Sequence, residues 1–308
     1  MLRFFTSISI IGSIFFFAGV PLLARAQSSG LSISPLTFEM SARQGEMLSN
    51  MIKVTNIGSA PLQVYMETRN FSPVGEEGQI ALREDQGQGT LASWIRISPE
   101  TFTLRPGQKQ EVQFSVSVPA GAAFGGHYAS LLASFAGTQT QGGSRVAQKV
   151  GSLLLLQVAG QAQEQLSVAS FEGPGFSEYG PLAFSFRFEN TGNVHLKPRG
   201  YLEVKNMLGK EVAKIQLPQK NVLPNSVRKV EVSWDDRFLF GKYQANLAAV
   251  YGADNQMLSQ ALTFWVIPWK LVTVGVLGAL LLAAFLYVVR KRILTAIRVL
   301  ILGEKRAP

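Results

Sequence analysis

The sequence predicts an all-β protein: two tandem β-sandwiches followed by one membrane-spanning helix near the C-terminal end. Three observations carry this expectation. Apolar and polar residues alternate with period two through much of residues 27–268. An ordered set of strand and turn signals occurs twice within that stretch. Leu271 to Val289 is an unbroken run of nineteen uncharged residues, mostly Leu, Val and Ala.

The helix is the simplest element to justify. Nineteen residues rising about 1.5 Å each cover about 28 Å, close to the ~30 Å hydrocarbon layer of a bilayer. Trp265 and Trp269 stand at one border and Tyr287 near the other, where amphipathic rings favour the headgroup level. Arg290, Lys291 and Arg292 follow at once, whereas only Lys270 flanks the near side. That bias predicts a helix over 269–289, a basic cytoplasmic tail over 290–308, and everything before Trp269 outside the cell. Membrane lipid is therefore one expected partner. Residues 1–26 have the three-part pattern of a signal peptide. Arg3 begins it, an uncharged run from Phe4 to Val20 follows, and Ala24-Arg25-Ala26 offers a cleavage site.

The net charge of +9 is a property of the ends. Residues 270–308 hold seven basic residues and one acid, and residues 1–26 add Arg3 and Arg25. The remainder is nearly neutral and has no long basic run, so no nucleic-acid partner is expected. The chain has no cysteine, so each outer domain must be held by its hydrophobic core.

The repeated pattern runs strand, Asn-Gly turn, strand, Pro-containing turn, alternating strand, Gly-x-Tyr, strand. In the first copy Asn56, Pro106 and Tyr128 mark it, and in the second Asn190, Pro224 and Tyr243. Asn and Gly tolerate left-handed turns, Pro presets φ, and a tyrosine ring suits the edge of a sandwich core. These are structural roles, and the tyrosines are expected at corners. The pattern predicts immunoglobulin-like sandwiches over 27–160 and 161–268, joined near Gly160 to Gln165. The first copy carries an insertion, Asn70 to Thr90, polar and Gly-rich, which is expected to project as a loop or small hairpin. Phe71, Glu76 and Glu77 are its candidate partner contacts. Phe176 and Tyr179, in a Gly/Pro-rich stretch, are the candidates in the second copy. Ala136 to Arg145 is read as a long hairpin loop before a buried last strand.

Catalytic and metal chemistry is not legible. His127 and His195 are the only histidines and fall in different copies. There is no His-Glu-x-x-His, phosphate-binding loop, nucleophile elbow or dinucleotide fingerprint. Glu76-Glu77, Glu84-Asp85 and Asp235-Asp236 are adjacent acids without a calcium-loop pattern. No enzyme activity and no cofactor is expected.

Leu31-Ser32-Ile33-Ser34-Pro35, Ile52-Lys53-Val54-Thr55-Asn56, Ser98-Pro99, Leu104-Arg105-Pro106-Gly107-Gln108, Val118-Pro119 and Gly126-His127-Tyr128 together resemble the WxL-interacting surface proteins of Gram-positive bacteria. Phe186 to Gly192 and Gly241-Lys242-Tyr243 are similar in the second half. The Pro-strand-Asn pattern also resembles the N-domains of pilus chaperones. The first resemblance implies a domain contacting peptidoglycan and a second contacting a protein, although the matched positions are turn and core positions. Two functions follow as expectations. One is a membrane-anchored binding or scaffold protein contacting cell-wall glycan or a surface protein partner. The alternative is a membrane-tethered chaperone or assembly factor acting by β-strand addition.

Overall fold

The computed structural model describes residues 30–83, 89–136 and 147–302. The signal peptide, the Glu84-Asp85 pair, nearly all of the Ala136–Arg145 loop and the last six residues lie outside them. The first half contains β1 (Leu31–Ser34), β2 (Thr37–Ala42), β3 (Met47–Asn56), β4 (Leu62–Val74) and β5 (Gln79–Arg83). After these come a one-turn helix α1 (Leu91–Trp94), then β6 (Ile95–Ser98), β7 (Thr101–Leu104), β8 (Lys109–Ser117), β9 (Gly125–Ala136) and β10 (Ala147–Val158). The sheets are β1-β3-β8-β6 and β2-β10-β9-β4-β5, with β7 on β4.

The second half contains β11 (Leu166–Glu172), β12 (Phe176–Ser177), β13 (Leu182–Asn190), β14 (Arg199–Asn206), β15 (Glu211–Gln216), β16 (Ser226–Trp234), β17 (Gly241–Tyr251) and β18 (Gln256–Val266). They form the sheets β11-β13-β16 and β12-β18-β17-β14-β15. The fold is all-β and immunoglobulin-like, with two sandwiches in tandem and an apolar helix after them.

Alternation explains which face of each strand is buried. In β8, Val112, Phe114 and Val116 enter the core while Glu111, Gln113 and Ser117 meet water. In β13, Phe184, Phe186 and Phe188 do the same, with Phe186 stacked on Phe188 and Phe184 edge-on to Phe264. Each half has its own apolar core, one drawn from Leu31 to Val158 and the other from Leu166 to Val266.

In each half the first strand changes sheets. β1 pairs antiparallel with β3, and the chain passes Pro35 to become β2, parallel to β10. Likewise β11 pairs with β13, and β12 then lies parallel to β18.

The helix α2 runs without interruption from Trp269 to Leu302. The sequence predicts a helix over 269–289 and a basic tail over 290–308. The structure instead carries the helix through Arg290, Lys291 and Arg292, because nothing from Arg290 to Leu302 breaks a helix. At ~1.5 Å per residue α2 is roughly 50 Å long, which exceeds a ~30 Å hydrocarbon layer. From Trp269 to Ile297 its mean hydropathy is 2.5 at best, and none of that window is packed against protein. The α1 turn was not anticipated. Asn70 anchors it, accepting from the Ala92 amide at 3.0 Å and donating to Thr90 Oγ1 at 2.9 Å.

Candidate functional site

The two marker asparagines build the same device. Asn56 and Asn190 are both 0% exposed. Asn56 Nδ2 donates to the Ala60 and Leu104 carbonyls at 2.8 and 3.0 Å, and its Oδ1 accepts from Gly58 N at 2.8 Å. Asn190 repeats this with Val194, Val222 and Gly192 at 2.8, 2.8 and 2.9 Å. Each amide thereby fastens its own Gly turn to the residue two before the marker proline. Pro106 and Pro224 both precede a positive-φ residue, Gly107 (73°) and Asn225 (51°), as a type II turn requires.

The Gly-x-Tyr markers are not equivalent, and this is a correction. Tyr243 is buried in the core, and its hydroxyl donates to Phe240 O at 3.3 Å and accepts from Phe240 N at 3.1 Å. The glycine matching Gly241 (φ 110°) is Gly125 (φ 112°), one residue earlier than the sequence spacing suggested. His127 therefore takes the tyrosine's position, its ring 4.6 Å from that of Trp94. A one-residue shift moves a side chain to the other face of a strand. Tyr128 consequently points away from its own core toward the second domain. Its hydroxyl lies 3.4 Å from His195 Nδ1, and burial pushes the phenol pKa up.

Up to Arg83 the insertion forms the β4–β5 hairpin, and its tip turns inward against the second domain. The Glu76 carboxylate accepts from Arg187 Nε at 2.7 Å, and the Glu76 carbonyl accepts the Lys229 amide of edge strand β16 at 2.8 Å. Glu77 lies 3.7 Å from Lys229 Nζ. The Arg228 guanidinium packs on Gly78, so close that a Cβ there would meet Nη1 at 1.0 Å. Phe71 is only 5% exposed, with its ring 5.9 Å from that of Tyr128, so it is not a surface contact. The carboxylates expected to meet a partner meet Arg187 and Lys229 instead, because the basic edge of β16 lies opposite the turn.

Beside the hairpin, Glu39 of β2 bonds Lys197 Nζ at 2.5 Å and Asn221 Nδ2 at 2.7 Å. Burial would raise the Glu39 pKa, but these two donors outweigh it and hold the carboxyl below its ordinary value. Gly126 N donates to Asn193 O at 2.8 Å on the far side of Tyr128. Between the hairpin and Glu39 lies a partly open cavity of about 430 Å³, lined by Leu153, Ile80, Leu223, Lys220, Asn221 and Arg228 among others. Arg228 Nε and Asn221 Oδ1 are buried without a hydrogen-bond partner.

The last strands supply a second candidate, a bare edge. β2 covers six of the twelve residues of β10. β12 covers two of the eleven residues of β18. The Trp265 amide points outward, donating to Gly175 O at 3.1 Å, and the Ile267 amide does the same to Ser177 O at 3.0 Å. The β17–β18 register is continuous. By alternation, the amides and carbonyls of Met257, Ser259, Ala261 and Thr263 therefore face the open side. Gln256 to Val266 contains no charged residue and no proline. Edge strands are ordinarily guarded by such residues.

Phe176 and Tyr179 are exposed at the end of the second domain from which α2 leaves, with Phe176 directly opposite Trp265 in the register. Trp265, Trp269, Arg290, Lys291 and Arg292 are exposed along the same path. Among the described residues no group of three or more metal-ligating side chains occurs.

No family model and no curated protein matches this chain. Among solved structures it is similar to the class 5 fimbriae chaperone CfaA, with 12% identity over 78% of this chain and 100% of that one and a TM-score of 0.38. It is similar to the Salmonella enterica SafB chaperone, seen in complex with the SafA pilin, with 10% identity, 77% and 98% coverage and a TM-score of 0.38. The E. coli chaperone DraB gives 11% identity, 77% and 96% coverage and a TM-score of 0.34. These likenesses describe strand arrangement and carry no argument about ligand.

Proposed function

We propose that this protein is a membrane-anchored envelope protein that receives an extended segment of a protein partner by strand addition to β18. The observation that carries this reading is the uncharged edge from Gln256 to Phe264, with four residues whose outward main-chain groups find no partner among the described residues. Main-chain hydrogen bonds would supply affinity, and the alternating side chains of β18 would supply preference. The unpacked helix after it supports single-pass anchoring, and Arg290, Lys291 and Arg292 beyond the apolar run support placing the sandwiches outside the cell.

Ala261→Pro tests the mechanism. It removes one outward amide while leaving the β17 ladder intact, as proline on a sheet edge permits. A photo-crosslinker at Ser259 of the full-length protein in cells is expected to trap an envelope protein, and A261P is expected to abolish the adduct with the thermal midpoint nearly unchanged. An adduct that survives A261P contradicts strand addition.

A second reading is favoured by the unpartnered Arg228 Nε and Asn221 Oδ1. A polar ligand in the interdomain cavity, such as the wall glycan implied by the WxL-interacting resemblance, would satisfy both. Retention on purified peptidoglycan that is lost in Asn221→Leu and kept in A261P would select this reading.

A further inference from the structure

We infer that the end of the second domain from which α2 emerges is itself a lipid-contact surface, so that the sandwich rests in the headgroup layer and does not stand off on a stalk. This rests on the membrane anchoring proposed above. Three segments converge at that end by register. β18 closes at Val266 opposite Gly241, the β14–β15 turn follows Asn206 opposite Tyr243, and the 235–240 loop leads into Gly241. Gly180 N donates to Arg237 O at 3.4 Å, which ties that loop to the segment around β12. The Met207 sulfur lies 3.7 Å from where a Cβ on Gly241 would stand, which places the β14–β15 turn beside the loop.

The side chains at this end are apolar and exposed. Of nine exposed large apolar residues in the second domain's strands and loops, seven are here, and Met257 at the far turn is an exception. Phe238 is 91% exposed and Leu208 85%, with Phe240, Met207, Phe176 and Trp265 beside them. Leu239 is buried between Phe238 and Phe240, so packing of the middle residue fixes both rings outward. Scattered exposed apolar residues need no explanation, but a contiguous patch does.

The occupant follows from continuity. Only Ile267 and Pro268 separate β18 from α2. Ile267 N is fixed to Ser177 O at 3.0 Å, and Glu178 pairs with Lys270 Nζ at 2.9 Å across the junction. The first turn of a membrane-spanning helix is thus clamped to the domain, and the patch surrounds that exit. Lys210, Arg237 and Lys242 are exposed around it, as cations at a headgroup layer would be. Asp235 and Asp236 in the same loop are held by Ser233 Oγ and Trp234 Nε1 at 2.7 and 2.9 Å. Side chains of this kind enter roughly 5–10 Å at the headgroup boundary.

The absence of cysteine makes the test clean. Full-length L208C, F238C, M257C and L281C proteins, each labelled with an environment-sensitive fluorophore, are placed singly in phosphatidylcholine nanodiscs carrying a headgroup-proximal spin-labelled lipid or a mid-chain one. The expected result is loss of emission at 208 and 238 with the headgroup-proximal quencher, at 281 with the mid-chain quencher, and at 257 with neither. Quenching at 281 with none at 208 and 238 overturns the inference and leaves anchoring intact. No quenching at 281 removes the anchoring reading itself.

Discussion

The two sandwiches follow the same path and differ in how they finish it. In the first, the strand that crosses between sheets goes on as β2 and covers half of β10, and the uncovered half carries Lys149. In the second, the equivalent strand stops after Phe176 and Ser177 and leaves nine uncharged residues of β18 without a strand partner on that side among the described residues. The same topology therefore yields one edge half covered by β2 and another covered over two residues only. The difference teaches that the length of a single short strand, rather than the fold, sets how much of such an edge the domain's own chain covers.

The largest expected effects probe what the halves share. Asn56→Ala and Asn190→Ala each delete the three side-chain hydrogen bonds of a fully buried amide and leave a Gly amide without its acceptor. Each should cost about 3 kcal/mol, and each should lower the unfolding transition of its own half first, measured by denaturant titration of the full-length protein. Clearly unequal losses would break the equivalence of the two turns. The next effect probes the brace. Gly78→Ala places a methyl group where Arg228 lies, at a φ of 81°, and should cost roughly 1–2 kcal/mol. A pair of dyes across the domains should report a wider spread of separations; an unchanged distribution would show that the hairpin does not hold the halves together.

The smallest effect concerns pH. Burial holds the His195 pKa below its ordinary 6.5, with the nearby Lys197 acting the same way and Glu39 opposing. The unfolded chain therefore takes up this proton first, so the contribution of neutral His195 is complete above pH ~6.5 and shrinks as the pH falls below it. The depressed carboxyl of Glu39 contributes above its ordinary 4.5 and is lost only on further acidification. Between those values the dye separations should widen modestly in the native protein and stay constant in His195→Gln. A widening that persists in His195→Gln would exclude His195 as its cause.

Most of the architecture was legible because alternation and turn chemistry are local. Val112 to Val116 and Phe184 to Phe188 announce their buried faces, and Asn56 and Asn190 announce their turns. What could not be read was non-local. Nothing near Glu76 reveals that Arg187 and Lys229, more than a hundred positions later, face it across a domain boundary. Gly125-Gly126 offered two registers for one Tyr signal, and only sheet pairing chooses between them. Bareness of β18 is equally hidden, since it depends on where β12 stops. The exposed Phe238 and Phe240 resemble any alternating pair until Leu239 is seen to be the inward member.

The claim on which the account turns is that β18 is uncovered in the free protein, and residue-resolved amide hydrogen exchange on the full-length chain in nanodiscs tests it most directly. The amides of Ser259, Ala261 and Thr263 should exchange as fast as unprotected ones, while Leu153, Leu155 and Gln157 beneath β2 exchange slowly. Protection of Ser259, Ala261 and Thr263 equal to that of the β10 amides, in the absence of any partner, would contradict the account.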